Sequence, residues 1–201
     1  MDKNRIVSFT DGVVSIVITL LIFNIRIPTR PVLSSLRTIT PLMLTYLVSF
    51  IFIAVIWVSH HRLFGMANRV SNAVIWADLF WLFWLTLCPA VTLWVGHDSQ
   101  NMISFLPEFA YLVVFTMWSF SFSILTHYLL KANPDASKLQ WAVKNDRRSQ
   151  ISLLVSVMLF FGVFYYPPIV LIGRFLISGI WVFPYRVSTK IHHSLLDHFR
   201  K

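Results

Sequence analysis

Residues 9–28 read FTDGVVSIVITLLIFNIRIP. Asp11 is followed by a run, 12–27, whose only polar side chains are Ser15, Thr19, Asn24 and Arg26. A helix over about 6–27 rises 1.5 Å per residue and so crosses the roughly 30 Å hydrocarbon core of a bilayer. The carboxylate at its start is the informative exception. An acid costs about 2.5–3.5 kcal/mol at mid-membrane. Asp11 lies only six residues past Arg5, about 9 Å along a helix axis. It therefore sits near the membrane surface, where the cost is smaller.

The rest of the chain has the same character. Hydrophobic residues make up 57% of its 201 residues and charged ones 12%, against about 25% charged in an average soluble domain. A soluble fold of this length could not hide so much apolar surface, which points to an integral membrane protein. The opening MDKNRIVSFTDG has no small-residue cleavage site, so the first apolar segment is expected to be retained. The net charge of +9 would suit nucleic acid. The basic residues, however, lie in short segments between apolar runs, so membrane lipid is the expected partner and nucleic acid is not. Cys88 is the single cysteine. It can make neither an intrachain disulfide nor a thiolate metal site, and it reads as a buried filler.

Six apolar segments are expected to span the membrane, at about 6–27, 41–62, 73–96, 104–130, 150–166 and 168–184. Pro167-Pro168 separates the last two, because neither offers an N–H to continue a helix. The stretch 131–148, KANPDASKLQWAVKNDRR, reads as a short interfacial helix. The end, KIHHSLLDHFRK, is expected to form an amphipathic tail (187–201) on the inner leaflet, with Ile191, Leu195, Leu196 and Phe199 at helical spacing. The reading is one all-α, polytopic membrane domain over 1–201.

Placing the N-terminus in the cytoplasm puts Lys3, Arg5, Arg62, Arg69, Lys131, Lys138, Lys144, Arg147, Arg148, Arg186, Lys190, Arg200 and Lys201 inside. Arg26, Arg30 and Arg37 fall outside, and Arg174 lies within the sixth segment. Thirteen basic residues against three set the orientation by the positive-inside rule. Both termini are expected to be cytoplasmic.

On a helical wheel of about 100° per residue, Gly12, Ile16, Thr19 and Phe23 fall within roughly 60° of one another. Arg5 and Ser8 extend this line, Leu20 and Ile27 flank it, and Asp11 lies about 100° to one side. A lipid-facing helix needs no Thr, and a core helix needs no Arg and Asp in its first turns. The pattern suits a pore wall. It also suits a Thr that bonds its own i−4 carbonyl.

Arg5-x-x-x-Phe9-Thr10-Asp11-Gly12, followed by Ile16 and Thr19-Leu20-Leu21, resembles the first-helix signature of the transmembrane protein 175 family of potassium channels. That signature has Ser where Thr10 stands. Trp57-x-x-His60-His61-Arg62-x-Phe64 is similar to a second-helix stretch of bacterial members, and Asn72, Trp76, Leu79 and Pro89 resemble the third helix. Asp78 departs from the Asn expected there, and Ala90 from the usual Phe. The resemblance covers about half the chain.

It implies a homotetrameric potassium channel in the inner (plasma) membrane, with four first helices around the axis and potassium as the permeant species. Ile16 would be the narrowest ring, Thr19 a hydroxyl ring one turn outward, and Leu20 and Phe23 the continuing wall. The chain has no TVGYG segment, so selectivity would come from side chains rather than a carbonyl filter. The polar network would involve Arg5, Phe9, Thr10, Asp11, His60, His61, Trp76 and Asp78. Asp11 is expected to join Arg5 and one of His60, His61 or Arg62 in a staple that holds the first helix. A helix cap and a proton sensor are the other readings of Asp11.

No cofactor or metal is expected. The adjacent His60 and His61 point about 100° apart, and there is no Gly-rich phosphate loop, H-E-x-x-H or G-x-S-x-G. An enzyme is not expected. A half-transporter is the alternative, with Asp78, Glu108 and Arg174 as substrate contacts. Against that stands the bland reading of Asp78 as a polar link and of Glu108 and Arg174 as interfacial snorkelling.

Overall fold

The computed structural model describes residues 2–23, 25, 33–98, 104–144 and 146–182. The expected tail 187–201 and the basic residues Arg26, Arg30, Arg186, Lys190, Arg200 and Lys201 lie outside them. Among the described residues the chain forms helices α1 (Lys3–Phe23), α2 (Leu33–Met66), α3 (Asn72–Asp98), α4 (Phe105–Ala132), α5 (Ser137–Lys144), α6 (Arg147–Gly162) and α7 (Ile169–Val182). α1, α3, α4 and the Ile39–Met66 part of α2 are long and apolar enough to cross a membrane. The protein is an all-helical, multi-pass membrane protein.

The fifth expected span ends early, at Gly162 rather than 166, and the sixth appears as α7, described as far as Val182. α6 has 16 residues and α7 has 14, about 24 and 21 Å of helix. The apolar run continues past Gly162, but the backbone there turns: Tyr165 and Tyr166 both donate to Gly162 O at 3.0 Å. The prolines that follow cannot donate, so the helix does not resume before Ile169. At the other extreme, α2 begins at Leu33 rather than at Pro41, and Pro41 lies inside it. The missing N–H is tolerated within a membrane helix, where side chains re-satisfy freed backbone groups. Thr45 Oγ1 donates to Pro41 O at 3.0 Å, a bond to the proline's own carbonyl; the group that loses its usual donor is the Arg37 carbonyl, one turn earlier. The stretch read as an interfacial helix contains α5.

α3 is the central element and packs on α4, α2 and α1; α7 packs on α2 and α6, and both α6 and α7 reach α4. Lipid tails are as apolar as leucine, so helices associate through close packing and interhelical hydrogen bonds rather than through water exclusion. Both are visible. Trp81 of α3 stacks on Trp118 of α4 with centroids 5.8 Å apart, and Phe52 of α2 meets the Trp118 edge at 5.3 Å. Gly96 lets α3 approach α2 so closely that a Cβ there would lie 2.9 Å from Leu42 Cα. Ser49 Oγ lies 2.8 Å from Thr92 Oγ1 and 3.0 Å from the Tyr111 hydroxyl, which links α2, α3 and α4.

Arg174 corrects the snorkelling reading. It is fully buried, and its guanidinium donates to Leu112 O at 3.2 Å, to the Thr116 hydroxyl and to Ser156 Oγ at 3.4 Å. Its carbon centre lies 5.8 Å from the Phe52 ring. Its two terminal nitrogens donate to α4 and α6, and the side chain is enclosed by the subunit rather than extended to its surface. Glu108 is buried as well.

Candidate functional site: the first helix and its anchors

α1 is two-faced. Ile6, Thr10, Val14, Val17 and Leu21 are buried, and on the wheel they lie about 120–180° from Gly12. They pack on α3 and α2. The opposite face carries the line read from the sequence. Arg5, Ser8, Gly12 and Thr19 are exposed, and so are Ile16 at 61%, Leu20 at 46% and Phe23 at 78%. Nothing in the subunit lies within 4 Å of where a Gly12 Cβ would be. Among the described residues the line is continuous and exposed.

The hydroxyls on this face share one arrangement. Ser15 Oγ donates to Asp11 O and Thr19 Oγ1 to Ser15 O, both at 2.7 Å. The i−4 bond does form, and it does not conflict with a pore role. With the proton committed to the backbone, the exposed Thr19 oxygen keeps acceptor capacity. A cation requires a hydroxyl in that state.

Two links hold α1 from its other side. Thr10 Oγ1 donates to Asp78 Oδ2 at 2.6 Å, and Asp78 Oδ1 lies 2.9 Å from His60 Nε2. All three side chains are buried, so one carboxylate joins α1, α3 and α2. The His60 ring is stacked between Phe64, 4.4 Å away, and Trp81, 4.9 Å away. In the second link, Trp57 Nε1 of α2 donates to Asp11 Oδ1 at 2.7 Å.

The staple therefore differs from the one expected. Asp11 does face a neighbouring helix, but its partner is an indole, and the buried histidine belongs to Asp78. Arg5 is exposed, as are His61, Arg62, Phe9 and Trp76. His61 touches the network only through its ring, 6.0 Å from that of Trp57. Of the residues weighed as transporter contacts, Asp78 bonds Thr10 and His60, whereas Arg174 bonds α4 and α6.

A third anchor escaped the sequence reading. Lys3 Nζ donates to Ala67 O at 2.9 Å, which ties the start of α1 to the turn after α2. Asn133 clamps the same turn from the α4 side. Its Oδ1 accepts from Asn68 N at 2.8 Å and Arg69 N at 2.7 Å, and its Nδ2 donates to Arg69 O at 2.8 Å. The signal available in sequence was Asn133-Pro134-Asp135 after a long apolar run, which marks a helix stop but says nothing of a partner.

A family model described as the endosomal/lysosomal potassium channel TMEM175 matches residues 5–89, which hold α1, α2 and most of α3. A potassium channel of Chryseobacterium sp. (strain P1-3) is 33% identical over 186 residues, covering 92% of this chain and 94% of that one. A potassium channel of Chamaesiphon minutus is 36% identical over 97 residues, 45% of this chain and 48% of its own. The crystal structure of a lysosomal potassium-selective channel TMEM175 homolog from Chamaesiphon minutus superposes with a TM-score of 0.78 at 24% identity. It covers 90% of this chain and 96% of that chain, a likeness of fold. A first helix bearing the signature, the shared architecture and a relative matched nearly end to end agree: the chain belongs to the TMEM175 family of potassium channels.

Proposed function

We propose that four copies of this chain surround a central axis and pass potassium between their first helices. The observation that carries this reading is the division of α1. One face is fastened to α3 and α2, and the other presents Gly12, Ile16, Thr19 and Phe23 in a line that the subunit leaves uncovered.

In this arrangement Ile16 forms a ring of aliphatic groups that coordinate nothing. Such a constriction gates by dewetting and favours the cation that sheds water more cheaply. Potassium does so more readily than sodium, which gives modest selectivity. Thr19, one turn outward, offers oxygens in place of part of the lost hydration shell. Leu20 and Phe23 continue the wall, and the bulk of Phe23 narrows the outer mouth. The Thr10–Asp78–His60 and Asp11–Trp57 links hold each first helix at a fixed rotation, which keeps the line on the axis. The protein is placed in the inner membrane with both termini cytoplasmic.

Potassium flux into proteoliposomes with a sodium counter-test, beside a mass measurement of the purified assembly, tests the reading. It predicts four copies and potassium flux above sodium flux. Two copies with saturable flux would support a half-transporter instead.

A further inference from the structure

The corner between α4 and α5 has no part in the pore reading, yet it is firmly built. Asn133 is 3% exposed and, besides clamping residues 68 and 69, donates from Nδ2 to Leu129 O at 2.9 Å. Gln140 Nε2 donates to Leu130 O and to Asn133 O, each at 3.3 Å. α5 is thereby folded back onto the end of a membrane-length helix.

Its buried side is Leu139. On the wheel Trp141 and Lys144 lie within about 40° of the opposite direction, and Lys138 lies about 80° from it. Lys138 and Lys144 are exposed, and so is Lys131 in the last turn of α4. Two acids stand nearby. Asp146 is engaged by Arg148 at 2.9 Å, and Asp135 is exposed. Among the described residues of 131–148, three exposed lysines stand against one acid outside the Asp146–Arg148 pair, which leaves a positive surface. The basic residues fall on the side that the positive-inside rule assigns to the cytoplasm, where the leaflet is anionic.

We propose that α5 is a docking surface for anionic phospholipid of that leaflet, with Lys131, Lys138 and Lys144 taking the headgroup phosphates, and that docking is transmitted to the first helix through Asn133 and the turn at residues 67–69. The second half rests on the channel reading. The turn is the shared element: Asn133 binds the backbone of Asn68 and Arg69, and Lys3 of α1 binds Ala67 O.

The test uses the full chain and the variant K131Q/K138Q/K144Q. Retained phosphatidylglycerol is counted by native mass spectrometry from detergent. Potassium flux is measured in phosphatidylcholine vesicles with and without phosphatidylglycerol. A membrane-adjacent basic residue contributes about fivefold to partition onto an anionic surface, so the variant is expected to retain at least about tenfold less phosphatidylglycerol. Flux in the unsubstituted protein is expected to change several-fold with phosphatidylglycerol, and in the variant to stay flat. Equal lipid retention by the two proteins overturns the docking surface. Equal lipid dependence of flux overturns the transmission. A chain that passes no potassium in any vesicle contradicts the channel reading, and the lipid count still decides the docking surface.

Discussion

Thr10 of α1 donates to Asp78 of α3 at 2.6 Å, between two buried side chains 68 residues apart. This bond joins the helix with the open face to the element on which α2 and α4 also pack. An interhelical hydrogen bond in a membrane protein contributes about 0.6 kcal/mol on average and up to about 1.7. Thr10→Val keeps the shape and removes the donor. It is expected to lower the thermal midpoint of the detergent-solubilised protein by a few degrees, while Thr10→Ser stays near the unsubstituted value. Asp78→Leu, which strands both Thr10 and His60, is expected to cost more than Thr10→Val.

The Asp11–Trp57 bond predicts a different ordering. Asn at position 11 still offers an oxygen to the indole N–H, so Asp11→Asn should unfold close to the unsubstituted protein. Asp11→Ala and Trp57→Phe should each be destabilised. Because both remove the same bond, the double substitution should fall short of their sum by at least about 0.5 kcal/mol. Strict additivity in that cycle would mean that the contact contributes nothing.

Gly96→Ala tests the packing at the far end of α3. The added Cβ meets the Leu42 backbone, which cannot rotate away, so α2 and α3 must separate locally. Overpacking of this kind costs about 1–3 kcal/mol. Gly12→Ala is the contrast: a Cβ there meets nothing within the subunit. A matched pair of melting curves should show a loss for Gly96→Ala and none for Gly12→Ala.

Thr19 carries a functional prediction. Its oxygen is exposed and its proton is given to Ser15 O. Thr19→Val removes the oxygen at nearly constant volume and is expected to lower potassium flux relative to sodium flux, whereas Thr19→Ser should preserve the ratio. An unchanged ratio in Thr19→Val would remove the hydroxyl from the permeation path.

The long helices were legible because their apolar runs match bilayer thickness, and the exposed line on α1 was legible because helical periodicity needs only spacing. Helix ends were less so. The apolar run of α6 continues through Tyr165 and Tyr166, and composition cannot show that the backbone turns at Gly162. Pro41 read as a boundary because its missing N–H was weighed as a helix stop, whereas α2 continues through it from Leu33. The anchors were the hardest part. Asp11 was recognised as needing a partner, but Trp57 was read as part of an apolar run, and its single N–H is the group that answers the carboxylate. Asn133 lay unremarked in the stretch read as an interfacial helix, and its side-chain hydrogen bonds to the 68–69 backbone appear only once that turn is brought beside it.

The central claim is that the α1 line faces a water-filled axis. Ile16→Cys tests it most directly, since Cys88 is fully buried and gives a silent background. In proteoliposomes, a water-soluble charged thiol reagent is expected to suppress potassium flux through Ile16→Cys and to leave the unsubstituted protein unaffected. Flux through Ile16→Cys that is unchanged by the reagent, with the introduced thiol reactive only toward lipid-soluble maleimides, would place this face against lipid and contradict the account.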